Sequence, residues 1–301
     1  MACKNWGILL ILMLLGGGMD ALAQDDTQKK TDKSDKWYKS FTIRGYFQVR
    51  YNRLGETNPN LQCDQCDRSM GGNGGFFLRR VRLVVEGDIS DRVSIYIQPD
   101  FASTTGNGIN YGQLRDAYFD LAFDKNKTWR IRLGQTKIPY GFEAMQSSSN
   151  RLPLDRSDGI NSSFLNERDL GAFFYWAPKE KRELLSRLSD DGLKGSGDFG
   201  VVGLGVFNGQ ANNRRDQNRN VHVVGRFTWP VELSNGQIVE GAIQAFTGKF
   251  TVADTTSGVK IGEPNSMYKD QRVAASFIWY PQPFGVQAEY NVGTGPEYDP
   301  A

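Results

Sequence analysis

The chain of 301 residues contains a single histidine, His222, and three cysteines. Cys63 and Cys66 form the C-x-x-C of "LQCDQCDRSM", and no second pair accompanies them. A four-ligand zinc site therefore cannot be completed from Cys and His. A redox C-x-x-C is expected at a helix N-terminus, but this one lies in a Gly/Asn-rich segment, and it reads as a local disulfide pinning an exposed loop. Charge of one sign is missing too. Lys+Arg (36) and Asp+Glu (34) nearly cancel, giving +2. The basic surplus of a nucleic-acid binder is absent. No G-x-S-x-G or phosphate-cradling motif occurs. Beyond the N-terminus, no apolar run approaches the ~20 residues a spanning helix needs.

The first residues, "MACKNWGILLILMLLGGGMDALAQ", have the form of a secretory signal peptide over 1–23. Lys4 supplies the positive charge, Gly7 to Leu15 the short apolar core, and Ala21-Leu22-Ala23 the cleavage site. Cys3 precedes the apolar core, where a lipoprotein cysteine would follow it. Past export the environment is oxidising, which suits a Cys63–Cys66 bridge. Residues 24–39 are charged and aperiodic, and are expected to form a flexible periplasmic lead-in. Residues 40–301 read as one β domain. Mean hydropathy is −0.50.

That domain alternates with period two. Phe41, Ile43, Phe47, Val49 and Tyr51 share one face, with Arg44, Gln48 and Arg50 on the other. In "FFLRRVRLVVEGDIS", Phe77, Val81, Leu83, Val85 and Ile89 are expected on the apolar face, and Arg80, Arg82, Glu86 and Asp88 opposite. "RDAYFDLAF" and "WRIRLG" continue it, with Phe119, Leu121, Phe123, Trp129, Ile131 and Leu133 outward against Asp116, Asp120, Arg130 and Arg132. Candidate strands are near ten residues long, enough to span a bilayer when tilted. Tight turns fall at Ser90–Arg92 and Asp124–Thr128. Long Gly/Asn/Ser-rich connections are expected at Leu54–Gly75, Thr104–Gly112, Gly141–Asp169 and Gly209–Asn220. Trp129, Trp176, Trp229, Trp279 and Tyr280 lie at strand ends, as interfacial girdles do.

Alternation alone fits either a soluble sandwich or a lipid-facing barrel. Strand length, loop asymmetry and the export signal favour an all-β transmembrane antiparallel barrel. Two alternatives stand beside it. One is an exported soluble β-sandwich binding protein. The other is an outer-membrane barrel hydrolase, for which His222 is the only histidine base and no H-x-S signature is present.

The stretch "RLGQTKIPYGFEAMQSSSNRLPLDRSDGINSSFLNERDLGAFF" resembles the phosphate-selective porin family, O and P type. The family's G-Q-x-K-x-P-[FY]-x-x-E corresponds to Gly134, Gln135, Lys137, Pro139, Tyr140 and Glu143. Its E-R-D-x-G return corresponds to Glu167, Arg168, Asp169 and Gly171. "GVFNGQ" and "VVGRFTWP" are similar to mid-barrel strands. The resemblance implies a trimeric barrel of about sixteen strands, an even number, in the outer membrane of a Gram-negative bacterium. It also implies an inward-folded constriction loop and passage of small anions, phosphate in particular. About eleven strands are legible, and "NVGTGPEYDPA" reads as a loop, so closing strands are expected beyond it.

Inward Arg44, Arg50, Arg80, Arg82, Arg130, Arg132 and Arg226 are a candidate anion track, with Lys137 and Arg151 flanking the loop. Arginine's planar fork matches phosphate oxygens, and rings of charge set selectivity in pores. The competing reading is pairing with Glu86, Asp88, Asp100, Asp116, Asp120 and Glu289. Asp155, Arg156, Asp158 and Arg168 are expected as loop salt bridges, and Arg214, Arg215 and Arg219 as a solvated outer loop. Membrane lipid, small anions and sister subunits are the expected partners. No nucleic acid, metal or cofactor is expected.

Overall fold

The computed structural model describes residues 37–52, 75–105, 108–153, 155–157, 159–160, 167–252 and 267–295. The expected signal peptide, the lead-in up to residue 36, the Cys63–Cys66 bridge, Asp158 and the chain's last six residues lie outside them. Among these residues eleven antiparallel strands follow one another in sequence order: β1 (Thr42–Asn52), β2 (Gly75–Ser90), β3 (Val93–Thr105), β4 (Gly108–Ala122), β5 (Trp129–Lys137), β6 (Arg168–Trp176), β7 (Val202–Phe207), β8 (His222–Glu232), β9 (Ile238–Thr251), β10 (Met267–Trp279) and β11 (Val286–Thr294). Among the described residues the order is linear, with β1 and β11 as its edges.

Burial is inverted relative to a water-soluble protein. Phe47 is 76% exposed and Ile243 54%, whereas Arg80 and Arg226 are each 3% exposed. Leu83, Phe119, Leu121, Leu133, Leu204, Val223, Phe227, Val273 and Phe277 join the exposed apolar face. No second sheet packs on that face; the described strands form one sheet. An apolar surface of this extent would be an aggregation hazard in water. In lipid it is the favourable surface, and the continuous ladder satisfies the strand backbone groups that lipid cannot.

One end of the sheet carries the tight turns. Between β4 and β5, the Asp124 carboxylate accepts the backbone N–H of Thr128 at 3.0 Å and of Trp129 at 3.2 Å. The exposed indoles of Trp129, Trp229 and Trp279 lie at this end. Tyr280 departs from the expected girdle. The alternation that turns Trp279 outward turns Tyr280 inward, where it is fully buried and its hydroxyl donates to Glu240 at 2.6 Å.

Two expectations at the opposite end are corrected. Thr104–Gly112 is no long loop, because β3 and β4 continue to Thr105 and Gly108 and pair through Ser103–Tyr111. Gly106, Asn107, Gly108, Asn110 and Gly112 are residue types depleted in strands, so the stretch reads as a loop although the strands pair through it. In β2, Phe76 and Leu78 are the more exposed positions, not Phe77. A register shift opposite Gln48 and Val49 changes the phase there.

Among the described residues, besides the 3-10 turn Trp37–Ser40, two α-helices of four residues or more interrupt the all-β pattern. Helix α1 (Phe142–Met145) lies in the β5–β6 connection, and α2 (Lys179–Asp190) between β6 and β7. "KEKRELLSRLSD" becomes a helix because Leu184, Leu185 and Leu188 stack on one face. Glu180 in the first turn and Arg187 in the last suit the helix dipole. Gly192, at φ +70°, follows the C-terminus.

Among the described residues the interior has two apolar parts. Ile138, Tyr140, Ala144, Met145 and Ile160 of the long connection pack on Phe173, Tyr175, Phe199, Phe207, Val224, Phe246 and Ala274. Phe142 packs with Leu184, Leu185 and Leu188 of α2 and with Ile238, Ile278 and Tyr280. Apolar filling thus lies against β6–β10, whereas the inward face of β2–β5 is largely charged.

Candidate functional site

The connection from β5 to β6 crosses the interior. Leaving β5, Tyr140 hydrogen-bonds Asn291 on β11. The first N–H groups of α1 then meet the Glu289 carboxylate, Phe142 at 2.8 Å and Glu143 at 3.1 Å. The amide of Gln146 donates to the carbonyl of Lys194 at 2.5 Å. The chain turns back, and the Ser148 hydroxyl accepts from Arg82 at 2.6 Å. Lys137 holds the end of α1 through the carbonyls of Met145 (2.9 Å) and Gln146 (2.5 Å).

On its return the connection meets a dense group of cations. The Asp155 carboxylate receives three guanidiniums: Arg50 at 2.6 Å, Arg79 at 2.7 Å and Arg80 at 2.5 Å. Glu167 also receives three, Arg115 at 3.4 Å together with Arg156 and Arg168. Arg168 reaches Asp116 at 2.9 Å and Arg82 reaches Asp100 at 2.7 Å. Arg151 makes no hydrogen bond or ion pair among the described residues, and its buried Nε lacks a partner. Burial and the neighbouring Arg80 lower its pKa to about 10. Burial works against the charge on Asp155, yet Arg79, Arg80 and Arg50 hold its carboxyl below the usual range.

Arg79 and Arg115 lie outside the track expected from alternation, and both arrive by one device. Gln48 pairs with Arg80 and Val49 with Leu78, so Arg79 is an extra residue in β2. Gln98 pairs with Asp116 and Pro99 with Leu114, so Arg115 is extra in β4. A bulge places neighbouring residues on the same side of a strand. Strict alternation would have aimed one of each doublet, Arg79-Arg80 and Arg115-Asp116, into lipid, at about 2–4 kcal/mol for an arginine at the midplane. The legible signals are the charged doublets themselves and Pro99, which cannot donate to a ladder and is tolerated at bulges.

The remaining expected residues lie elsewhere. Arg44 pairs with Glu86 at 2.8 Å and is half exposed at the start of β1. Arg130 reaches Asp198 at 2.7 Å and Asp120 at 3.4 Å. Arg132 lies 2.7 Å from Asp120 and stacks 3.9 Å over the Tyr118 ring. Arg226 joins Glu240 at 3.2 Å and the Gly200 carbonyl at 2.7 Å. These four are held by carboxylates away from the cluster that contains Arg50, Arg80, Arg82, Lys137 and Arg151. His222 is buried between Phe207 and Phe246, with Nε2 3.3 Å from Asp270. Among the described residues no serine hydroxyl is bonded to it.

A protein-family model described as phosphate-selective porin O and P matches residues 60–300. The chain belongs to this family. It is therefore a porin-family protein of the Gram-negative outer membrane, with the lipid-facing antiparallel sheet described above. Among solved structures, it is similar to the outer membrane channel DcaP of Acinetobacter baumannii, at 12% identity and a TM-score of 0.41. The match covers 85% of this chain and 66% of that channel, so the chain spans slightly less than two thirds of that relative's length. No curated protein matches.

The motif residues of this porin have identifiable physical tasks. Gly134 has φ +131°, and a Cβ there would lie 2.2 Å from the Ala117 carbonyl oxygen. Gln135 donates to the carbonyls of Leu114 (2.8 Å) and Arg115 (3.0 Å), which supports the bulge. Glu143 accepts the backbone N–H and hydroxyl of Ser157, at 3.1 and 2.8 Å. Glu167 and Arg168 join the connection to β4. Asp169 gathers the N–H groups of Gly209, Gln210 and Ala211 at 2.7–3.1 Å, shaping the turn after β7.

Proposed function

We propose that this porin forms a water-filled diffusion channel for small anions, phosphate among them, and performs no catalytic step. One observation carries the reading. Where the crossing connection returns to β1–β4, Arg50, Arg79, Arg80, Arg82, Arg115, Lys137, Arg151, Arg156 and Arg168 converge on fewer carboxylates among the described residues. Charged groups at a narrow point set the sign of the ion that passes, and guanidinium forks fit the oxygens of phosphate. Apolar packing on the β6–β10 side would confine the aqueous path to this basic wall. Assembly as a homotrimer is proposed on the family resemblance alone, and chemical cross-linking of the folded protein tests it.

The test is planar-bilayer conductance of the folded protein, with reversal potentials in chloride and phosphate gradients. Anion preference is expected, and Arg151→Gln is expected to reduce it without breaking an ion pair. Cation preference overturns the anion assignment, and absence of conductance overturns the channel.

A further inference from the structure

One concentrated electrostatic feature inside the protein is already occupied by a group of its own. Arg50, Arg79 and Arg80 close on Asp155 at 2.5–2.7 Å. The three arginines belong to the sheet, where the β2 bulge fixes two of them. Asp155 belongs to the crossing connection. Among the described residues, one negative charge thus faces three positive ones. Two of the arginines share Oδ1 and the third takes Oδ2. A carboxylate offers only two oxygens to three forks, whereas a tetrahedral oxyanion has more oxygens and carries more charge. Beside this site lies Arg151, more than nine-tenths buried, its Nε without a hydrogen-bond partner.

We propose that Asp155 is a tethered, displaceable counter-anion. Its carboxylate occupies the oxyanion site formed by Arg50, Arg79 and Arg80, and a permeating oxyanion of the phosphate or sulfate class takes its place, with Arg151 as an added donor. The inference rests on the anion-channel reading and adds to it how the site releases what it binds. A tethered competitor acts at a high effective concentration. It rebinds the arginines when the anion leaves, so a strongly basic site does not become a trap. A pore must bind weakly enough to let its ion go. Because the docked carboxylate and the anion compete for the same forks, the anion favours the undocked connection through differential affinity.

Two measurements test this. In bilayers, phosphate is titrated against chloride current for the wild type, Asp155→Asn and Asp155→Glu. Asparagine removes the tethered charge, and the half-blocking phosphate concentration is expected to fall at least ~5-fold, the scale set by about 1 kcal/mol. Asp155→Glu, which keeps the charge, is expected to stay near the wild type. An unchanged or raised value in Asp155→Asn, or no phosphate block in any form, overturns the proposal. The second measurement requires no variant to fold. Amide hydrogen exchange over residues 150–157 of the wild type is compared in phosphate and chloride at equal ionic strength. Displacement makes exchange faster in phosphate, and equal or slower exchange overturns it. The exchange result decides displacement whether or not the protein conducts. Reversal potentials separately decide the channel reading.

Discussion

Phe142→Ala isolates the apolar anchor of the crossing connection. Phe142 is fully buried against Leu184, Leu185, Leu188, Ile238, Ile278 and Tyr280. Truncating such a phenylalanine costs about 3–5 kcal/mol, part lost transfer energy and part cavity. Phe142 sits on the connection and not on the barrel wall, so the cost falls on docking and not on the sheet. At tenfold per 1.4 kcal/mol, the ratio of docked to undocked α1 falls by roughly 10²–10³. The far end stays held, because Asp155 and Glu167 keep their arginines. The expected result is faster amide exchange confined to residues 140–146 and noisier single-channel current. The heating temperature at which gel migration changes should barely move. Phe142→Leu, which keeps most of the volume, should lose about 1 kcal/mol. Unchanged exchange over 140–146 would refute the anchor. Loss of the folded gel form would show that the residue supports the wall itself.

Leu133→Arg places a charge at the middle of β5 on the exposed face and should destabilise folding into bilayers by about 2–4 kcal/mol; a urea titration showing no change would contradict lipid contact there. Arg226→Ala leaves buried Glu240 without its cation and should cost about 3–5 kcal/mol, while the reversal potential stays at the wild-type value. A shifted reversal potential would return Arg226 to the anion path. Asp155, held below the usual carboxyl range by its three arginines, contributes stability that is fully present above its unfolded pKa of about 3.9. That contribution is lost as pH falls through the lower folded value. Exchange over residues 150–157, corrected for intrinsic rate, should stay slow down to about pH 4 and accelerate below it. Acceleration already at pH 6 would contradict the clamp.

Much of the wall is legible in the amino-acid order. Phe119 and Leu121 in one strand, and Trp129, Ile131 and Leu133 in the next, stand at every second position, and a strand has only two sides, so their shared face follows from local geometry. Gly134 through Glu143 and Glu167 through Asp169 are legible as a motif, though not the task of each residue. The bulges at Arg79 and Arg115 escape an unbroken alternation, because that pattern has no place for an extra residue. Helix α2 is hidden because its three leucines lie in a charged segment between strong strand signals. Tyr280 belongs to the interior and not to the girdle, because an aromatic at a strand end looks alike on either face until the parity of its neighbour is known.

The amino-acid order alone therefore determined the sheet, its greasy exterior and its membrane address, since alternation, turn residues and family motifs are properties of neighbouring positions. Only the tertiary structure decided which arginines meet. Arg50 and Asp155 are more than a hundred positions apart, and Tyr140 and Asn291 more than one hundred and fifty apart. Contacts of that separation exist only once each strand has taken its register and the β5–β6 connection has crossed the interior. No local pattern encodes that path, because it is set by which side of the barrel offers apolar surface to Phe142 and which offers guanidinium to Asp155.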